Sequence, residues 1–392
     1  MKDLLIITNY FPPETGAASN RISQLAEGLQ KRGFTVSVTT PLPNYPTGKV
    51  FKDYRGKINQ TSVENNIKIH RLWIYASNSK NRLLRLFSML SYSISLICFF
   101  TFKKTQKTVI VQSPPLLVAF TCLFFLHSKN RKIILNVSDL WPMAGLELGV
   151  FKKNFGYKLL EKIEHYNYRK ASLIFGQSNE ILKHVLSIYP EKETFLYRNF
   201  SNIKAEMHDP TKVSSKKLKI VYAGLLGFAQ GILKLCQNLD YSKIELHIYG
   251  AGLEENKIKD FINNNSELPI IYHGEVKREE LHKLIQHYDV AIIPLLNRIY
   301  GSVPSKIFEY SKLGLPILYF GGGEGELIVK NLGLGWVAET GNYSDLNKVI
   351  SSINRENITL DYRTQINQIA NSNFDFEKQL EKSVNTINVS SI

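Results

Sequence analysis

The stretch LLIITNYFPPETGAASNRISQLAEGLQKRGFTVSVTT, residues 4–40, decides the fold class of this chain. Its two ends, Leu4–Thr8 and Val36–Thr40, are apolar runs of the kind found in strands buried on both faces. Between them, apolar residues recur at helical spacing: Ile22, Leu25, Ala26 and Leu29. A strand, a helix of crossover length and a second strand predict a parallel pair, and therefore an α/β protein.

The same alternation of strands and helices continues along the chain and predicts two Rossmann-like, doubly wound parallel sheets. In the first half we predict further strands at 69–74, 109–112, 133–137 and 173–176, and helices at 86–102, 116–126, 157–170 and 180–188. A polar stretch at 199–216, which includes Pro210, predicts a linker. Beyond it we predict strands at 219–223, 245–249, 270–273, 290–294 and 316–320. The predicted domains are 1–200 and 217–373.

Composition agrees with a folded protein of two domains. The chain has 392 residues, of which 44% are hydrophobic and 21% charged, and this excludes disorder, collagen and coiled coil. The three cysteines, Cys98, Cys122 and Cys236, form no CxxC pair, so neither a disulfide framework nor a zinc cluster is expected. The apolar run at 4–7 is shorter than the core of a signal peptide. We therefore expect a cytoplasmic protein.

The net charge of +15 is carried by the first half of the chain. Between Glu64 and Asp139 there are eleven basic residues and no acidic one, so an anionic surface is the expected partner. The segments 86–102 and 108–126 in this region carry no formal charge. Three interpretations stay open for them: helices buried against the sheet, a helix with one face in a bilayer surface, and a membrane span. Hydroxyl residues in the first segment and the Gln112–Pro115 turn in the second argue against a span.

Motifs of several enzyme classes are missing, because the chain contains no GxxxxGK[ST], HExxH, GxSxG or DxD. ATPases, zinc proteases, serine hydrolases and metal-chelating sugar transferases therefore lose their main sequence support. Three glycine-bearing turns instead follow predicted strands of the second half: YAGLLGFAQG at 222–231, Gly250–Gly252 and His273–Glu275. Glycines at the carboxyl ends of parallel strands let a ligand approach the backbone, so the three turns together predict a nucleotide site.

The segment GSVPSKIFEYSKLGLP, residues 301–316, predicts the centre of this nucleotide site. Pro304 and Ser305 suit a helix start, which would put Lys306 in the first turn beside exposed backbone amides. A lysine at a helix N-terminus can hold a diphosphate, and the carboxylate of Glu309 can accept hydrogen bonds from a ribose diol. The alternative is a solvated pair of Lys306 and Glu309 on the helix surface.

These segments, with NVSDLWP at 136–142, YRNF at 197–200 and YHGEV at 272–276, make the whole chain resemble the GT4 class of GT-B glycosyltransferases. The resemblance is closest to the WbuB-like sugar transferases of bacterial surface polysaccharides, such as O-antigen and capsule. It implies two Rossmann-like domains facing a central cleft. The nucleotide-sugar would be held mainly by the C-terminal domain and the acceptor by the N-terminal one. It also implies that a C-terminal helix, within 374–392, crosses back to the first domain.

The resemblance also implies roles for individual residues. Glu309 matches the second acid of the EX7E motif, which is expected on the ribose. The other positions expected at the donor are Ser305 and Lys306 near the phosphates, Gly274 and Val276 near the base, Gly16 over the sugar diphosphate, and Gly224, Gly227, Gln230 and Gly250 in the glycine turns. Asp139 is expected to face the reacting sugar or the acceptor hydroxyl, with a turn or N-cap aspartate as the alternative. Arg21 could reach a phosphate or be a solvated helix charge.

Two departures from the family pattern stand out. The first acid of EX7E would fall at Gly301, so that carboxylate is missing. The arginine and lysine that many relatives place in the glycine loop are also missing, with Leu226, Phe228 and Gln230 in their neighbourhood. The backbone amides of Gly227 and Gly231, together with Lys306, are then expected to take more of the leaving-group charge.

The expected activity is a retaining, metal-independent transfer of a sugar from a nucleoside diphosphate to a lipid-linked or polysaccharide acceptor. The subgroup suggests UDP as the carrier and an N-acetylated hexosamine or deoxyhexosamine as the sugar. No cofactor and no metal are expected, and the basic first half predicts a peripheral position on the inner face of the cell membrane. A nucleotide-sugar 2-epimerase, which shares the GT-B plan, is the rival enzyme. An anionic-polymer or nucleic-acid binder is disfavoured, because the basic residues lie beside apolar helices and are not interleaved with aromatics.

Overall fold

A computed structural model describes residues 2–79, 81–128, 130–203 and 217–389. The chain divides into two compact units: an N-terminal unit of residues 1–199, 300–302 and 377–392, and a C-terminal unit of residues 200–299 and 303–376. Most of the predicted linker, residues 204–216, lies outside the described residues. Each unit is built on its own sheet.

The N-terminal unit contains an eight-stranded sheet in the order β3-β4-β2-β1-β5-β6-β7-β8. All neighbours in it are parallel except β3, which pairs antiparallel with β4. Its strands are β1 Lys2–Ile7, β2 Phe34–Pro41, β3 Asn59–Glu64, β4 Ile67–Leu72, β5 Thr108–Ser113, β6 Lys132–Val137, β7 Leu173–Gly176 and β8 Thr194–Leu196. The helices between them are α1 Ala17–Lys31, α2 Arg82–Phe102, α3 Leu116–Leu126, α4 Met143–Glu147, α5 Phe155–Lys170 and α6 Asn179–Ile188.

The C-terminal unit contains a six-stranded, all-parallel sheet in the order β11-β10-β9-β12-β13-β14. Its strands are β9 Leu218–Ala223, β10 Ile244–Tyr249, β11 Ile270–Gly274, β12 Val290–Pro294, β13 Ile317–Phe320 and β14 Gly335–Val337. Its helices are α7 Ile232–Asn238, α8 Glu255–Asn264, α9 Arg278–Leu284, α10 Lys306–Lys312, α11 Gly323–Asn331, α12 Tyr343–Ser352 and α13 Leu360–Asn373.

The last helix, α14 (Phe376–Val389), packs on the N-terminal unit. Arg32 forms a 2.7 Å ion pair with Glu377, and the Lys132 ammonium donates to the Ile387 carbonyl at 2.8 Å. Gly28 on α1 leaves room for α14, because a Cβ there would lie 2.2 Å from a methyl group of Leu380. Helix α1 and helix α14 therefore meet at close range.

Both faces of each sheet are covered, as the apolar strands require. In β9, Ile220 and Tyr222 enter one buried cluster while Val221 and Ala223 enter the other. The strand order reverses direction between β1 and β5 in the N-terminal sheet and between β9 and β12 in the C-terminal sheet. At such switch points neighbouring loops diverge and leave a crevice for a ligand.

The predicted α/β architecture is confirmed, with three additional strands at sheet edges. Strand β3 was not predicted because NQTSVE has no apolar run, and β8 and β14 are only three residues long. Helix α2 begins at Arg82, before the predicted start, because the Asn81 side chain accepts from the Leu83 amide and caps it. No helix within the described residues is long and apolar enough to cross a membrane.

Candidate active site

The three predicted glycine turns lie side by side at the carboxyl ends of β9, β10 and β11. Backbone hydrogen bonds join them: the amide of Gly224 donates to Tyr249 at 2.9 Å, and that of Leu226 to Ala251 at 2.9 Å. The amide of Gly250 donates to the carbonyl of Gly274 at 2.7 Å. The turns therefore form one continuous edge of the C-terminal sheet.

Two of these glycines are required by close approach of neighbouring atoms. Gly250 has φ +133°, and a Cβ there would lie 1.8 Å from the carbonyl oxygen of Gly224. Gly224 has φ +157°, and a Cβ there would lie 2.4 Å from the Lys306 ammonium. The absence of a side chain at Gly224 thus leaves room for the ammonium of Lys306, which comes from the segment after β12, on the other side of the switch point.

Lys306 reaches from the start of α10 to the end of β9, where its ammonium donates to the Ala223 carbonyl. The same carbonyl accepts from the Tyr310 hydroxyl at 3.0 Å, and the ammonium lies 5.9 Å from the ring centres of Tyr222 and Tyr310. Burial lowers the pKa of the Lys306 ammonium, an effect that the negative charge of Glu309 opposes. Lys306 is therefore a half-buried cation bound to the backbone, and the alternative of a fully solvated Lys306–Glu309 pair is wrong.

Glu309 is held by two residues of α9 that sequence reasoning did not identify. Its Oε1 accepts from Arg278 Nε at 3.1 Å and contacts the Nε2 atom of His282, while Oε2 takes part in neither contact. Burial raises the pKa of Glu309, but the His282 hydrogen bond and the Arg278 charge outweigh burial and hold the pKa at about 2. Arg278 and His282 are four residues apart on α9, a spacing that could have suggested a shared target.

The cradle of exposed amides that was predicted at the start of α10 is closed off in part. The amides of Ile307, Phe308 and Glu309 donate to the carbonyls of Pro304 and Ser305, because the first turn closes back on itself. Ser305 is the N-cap residue, but its side chain makes no cap hydrogen bond. What remains at this position for an anion is the Lys306 ammonium, together with the amides of Ser305 and Lys306, for which no partner is found among the described residues.

In the glycine loop the two predicted amides differ. The Gly231 amide donates to the Gly227 carbonyl at 3.4 Å, whereas the Gly227 amide has no partner among the described residues. Two acceptor atoms beside the loop, Gln230 Oε1 and Glu254 Oε2, are also buried without a partner there. Glu254 was not predicted, since an acid after Gly250–Gly252 resembles an ordinary helix N-terminus.

The base-loop candidates lie at the end of β11. Gly274 has φ +79°, and a Cβ there would meet nothing within 4 Å. Val276 packs against the buried cluster that contains Val221 and Ile307. The structure thus brings Gly224, Gly227, Gln230, Gly250, Gly274, Val276, Lys306 and Glu309 to one end of one sheet.

In the N-terminal unit, Arg21 is buried, with 7% of its surface exposed, so its interpretation as a solvated helix charge is wrong. Its guanidinium donates to Gln177 Oε1 at 3.2 Å and to Ser138 Oγ. Its Nε has no partner among the described residues. Burial lowers the pKa of Arg21, whereas the negative charge of Asp139 raises it.

Asp139 follows β6 and lies next to this polar network. Burial raises the pKa of its carboxyl group, and the charge of Arg21 opposes the effect. No hydrogen-bond partner of the Asp139 carboxylate is found among the described residues. The N-cap alternative is wrong, because the next helix, α4, begins only at Met143. A poorly solvated carboxylate beside a buried cation has the properties expected of a reactive group.

Gly16 is the N-cap residue of α1 at the N-terminal switch point, with φ +143° and no side-chain cap. The position of the missing EX7E acid, Gly301, has φ +84°, and a Cβ there would lie 2.9 Å from Ile181. The Gly301 amide donates to Glu180 at 2.9 Å, and its carbonyl accepts from Ser178 at 2.7 Å. A glutamate at position 301 would be excluded by both backbone strain and packing.

Helix α2 exposes one apolar face. Its exposed large apolar residues recur at helical spacing: Leu83, Leu86, Phe87, Leu90 and Ile94. The opposite face is buried and contains Tyr92 and Leu96. Lys103, Lys104 and Lys107 follow the helix and are exposed. Lys80, Lys129 and the side chains of Arg82 and Arg85 lie outside the described residues.

Comparison with known proteins gives the class. Residues 203–372 match the family model described as "Glycosyl transferases group 1". Two parallel doubly wound sheets with this edge of glycine turns are the GT-B fold, and the chain is a glycosyltransferase. No curated protein matches the chain.

Solved structures agree with this fold over nearly the whole chain. Sucrose-phosphate synthase from Thermosynechococcus elongatus has a TM-score of 0.76 at 12% identity, with 99% of this chain and 98% of that chain covered. Anabaena Alr3699/HepE in complex with UDP has a TM-score of 0.70 at 13% identity, with 99% and 100% covered. WaaG, a glycosyltransferase involved in lipopolysaccharide biosynthesis, has a TM-score of 0.64 at 11% identity, with 99% and 100% covered.

Proposed function

We propose that this glycosyltransferase moves a sugar from a nucleoside diphosphate to a lipid-linked or polysaccharide acceptor, with retention of configuration and without a metal ion. UDP is the proposed carrier, and an N-acetylated hexosamine or deoxyhexosamine the proposed sugar. The acceptor belongs to surface-glycan biosynthesis, as in the WbuB-like subgroup. The observation that carries the proposal is the half-buried Lys306 ammonium, which lies at the switch point beside the glycine loop.

In this mechanism Lys306 and the amide of Gly227 would bind the diphosphate. As the bond to the sugar breaks, negative charge grows on the departing phosphate oxygen, and a preorganised cation in a poorly solvated site stabilises that charge. Lys306 can supply this charge without a divalent ion, which supports metal independence. Retention would follow if the departing phosphate oxygen accepts the proton of the incoming hydroxyl on the same face of the sugar.

Two further residues would complete the reaction. Glu309, held through Oε1 by α9, would offer Oε2 to the ribose hydroxyls. Asp139 would face the reacting sugar or the acceptor hydroxyl in the N-terminal unit. One protein of similar fold, Anabaena Alr3699/HepE, has been solved in complex with UDP and with UDP-glucose, which supports the choice of carrier.

A nucleotide panel tests this function. UDP, GDP, ADP and CDP, and then UDP-sugars, would be added to the protein in thermal-shift experiments. A ligand at 100 times its dissociation constant stabilises the folded state by about 2.7 kcal/mol. We expect UDP to give the largest shift. A preference for another nucleotide would contradict the choice of carrier, and no shift with any nucleotide would contradict the donor site.

Turnover separates the two enzyme classes that share this fold. With a saccharide or lipid-linked acceptor present, a transferase releases UDP in proportion to the new glycoside formed. The rival 2-epimerase would convert the donor without any acceptor. Rapid, acceptor-independent formation of an epimer would therefore overturn the proposal.

We further propose that the protein works at the inner face of the cell membrane. The exposed apolar face of α2 and the lysines that follow it support this position. An apolar helix face combined with basic residues is the usual means of reversible attachment to anionic lipid. Such attachment would place a lipid-linked acceptor within reach of the enzyme.

A further inference from the structure

The loop after β1 contains a buried carboxylate, Glu14, that has no part in the reaction described above. Only 2% of its surface is exposed. Its Oε1 accepts from the amides of Asn44 and Tyr45 at 2.8 and 2.9 Å, and its Oε2 accepts from the amide of Phe11 at 3.4 Å. Glu14 therefore ties the loop after β2 to the loop after β1.

A buried arginine holds the same loop from another side. Arg71 on β4 is 1% exposed, and it donates to the carbonyl of Pro12 at 2.6 Å. It also donates to Ser62 at 2.9 Å and forms a 3.1 Å ion pair with Glu64. Burial raises the pKa of Glu14, while the three amides and the Arg71 charge act in the opposite direction. Together Glu14 and Arg71 fix the path of residues 11–14.

The loop after β1, which Glu14 joins to the loop after β2, lies at the switch point of the N-terminal sheet. Gly16, two residues after Glu14, opens α1, and a Cβ built on it would lie 3.6 Å from Cε1 of Tyr45. The Tyr45 side chain is 42% exposed, and its ring packs edge to face with that of Tyr10 at 5.3 Å. The carboxylate thus sets the spacing between the Gly16 turn and an exposed aromatic side chain.

We propose that Glu14 is a positioning residue of the transfer reaction, which holds the Gly16 turn and Tyr45 in register at the ligand edge of the N-terminal sheet. The role rests on the proposed function, because positioning matters only if this edge binds a reactant. Ligands of open α/β sheets bind at switch points. A displacement of about 1 Å in a positioning group can lower a rate by about 10²-fold.

The test compares Glu14→Gln with Glu64→Gln. Glutamine at position 14 keeps an oxygen for the Asn44 and Tyr45 amides, but its NH₂ group cannot accept from Phe11 and it lacks the charge. Glu64→Gln removes a carboxylate from the other side of Arg71 and leaves the Glu14 contacts in place. It is therefore a matched control for loss of one negative charge near Arg71.

We expect kcat of Glu14→Gln to fall at least tenfold per folded molecule, whereas that of Glu64→Gln stays within twofold of wild type. UDP affinity should stay within twofold in Glu64→Gln. In Glu14→Gln any loss of UDP affinity should be smaller than the loss of kcat, because Gly16 is the one expected donor residue in the N-terminal unit and the others lie in the C-terminal unit. Amide exchange should become faster in residues 8–16 and 42–46 of Glu14→Gln only. If Glu14→Gln does not fold, Glu14→Asp replaces it in the test. Aspartate keeps the charge but shortens the side chain, so we expect the same loss of kcat.

Three negative outcomes are distinguishable. If the wild-type protein transfers sugar and a folded Glu14 variant has an unchanged kcat despite faster exchange of the loops, Glu14 only stabilises the fold. An equal loss of kcat in Glu64→Gln would likewise overturn the role. If the wild-type protein binds UDP and transfers nothing, the proposed function fails, and the positioning role fails with it.

Discussion

Lys306 shows how a single charge depends on a neighbour that has no side chain. Its ammonium lies only 2.4 Å from the position that a Cβ on Gly224 would occupy. Lys306→Ala should lower turnover by about 10²- to 10³-fold, in line with the removal of one preorganised donor elsewhere. Gly224→Ala should lower turnover in the same direction, because the methyl group displaces the ammonium.

The control for Gly224→Ala is Gly341→Ala, since Gly341 also has positive φ but its Cβ would meet nothing within 4 Å. Both variants strain the backbone, but only the first displaces Lys306. Turnover would be measured per folded molecule, with folding followed by circular dichroism. If Gly224→Ala and Gly341→Ala have equal turnover, the position of the Lys306 ammonium does not matter for the reaction, and Lys306 has only a structural role.

Asp139 has the second unusual environment, a half-buried carboxylate near a buried arginine. Asp139→Asn keeps the size of the side chain and removes its charge, so we expect an unchanged fold with most of the transfer lost. Asp53→Asn, at an exposed site of the same unit, should behave like wild type. Wild-type turnover by Asp139→Asn would show that the residue is only structural.

Glu309 gives the clearest dependence of stability on pH. Its pKa of about 2 in the folded protein lies below the ordinary value of 4.5. Its stabilising effect is therefore complete above pH 4.5 and is lost as the pH falls towards 2, a change on the order of 3 kcal/mol. We expect Glu309→Gln to lose less stability than wild type between pH 6 and pH 3.

That comparison would use denaturant midpoints, with Glu279→Gln as the control. Glu279 is exposed on the same helix as Arg278 and His282, so its replacement should leave the pH dependence of wild type in place. If Glu309→Gln loses stability between pH 6 and pH 3 as steeply as wild type, other acidic residues cause the loss of stability at low pH.

At the scale of elements, α2 combines a buried face with an exposed apolar one. Each basic residue near an anionic leaflet contributes about 1 kcal/mol of attraction. We predict that the protein sediments with anionic vesicles, does not sediment with neutral ones, and is released as salt shortens the Debye length towards about 3 Å at 1 M. Replacing Arg82, Arg85, Lys103, Lys104 and Lys107 with Gln should abolish sedimentation and leave UDP affinity unchanged.

Lys152→Gln with Lys153→Gln is the matched control, because both lysines are exposed in the N-terminal unit outside α2. A further variant, with Leu83, Phe87 and Ile94 replaced by Gln, would separate the apolar contribution from the electrostatic one. Attachment that survives 1 M salt and yields only to detergent would contradict the peripheral interpretation. Absence of attachment to every vesicle would favour an acceptor that is not held in a membrane.

At the scale of the whole molecule, we propose that the reaction proceeds without a divalent ion. The chain has no DxD, and no group of three or more histidine, cysteine, aspartate or glutamate side chains within the described residues could hold a metal. We predict that turnover in excess EDTA stays close to that in buffer alone, because Lys306 supplies the required positive charge. Complete loss of turnover in EDTA, with recovery when manganese is added, would contradict this prediction.

Local sequence determined the architecture of the two sheets. Apolar runs such as 4–8 and helical spacing such as Ile22 to Leu29 depend on near neighbours, so their elements could be predicted. The glycine turns could be located as well, because each directly follows an apolar strand. The edge strands β3, β8 and β14 could not, since pairing with a neighbouring strand, and not their own composition, makes them strands.

Tertiary structure alone decided the environment of each charge. The sequence places Arg21 on a helix and Lys306 in a first turn, but the burial of both depends on strands far away in the chain. The spacing of Arg278 and His282 on α9 suggests a shared target, but nothing local indicated that this target would be Glu309. Likewise, nothing local indicated that Glu14 would join two loops through the amides of residues 11, 44 and 45. The physical reason is that desolvation and hydrogen bonding act through space, and residues distant in sequence set them.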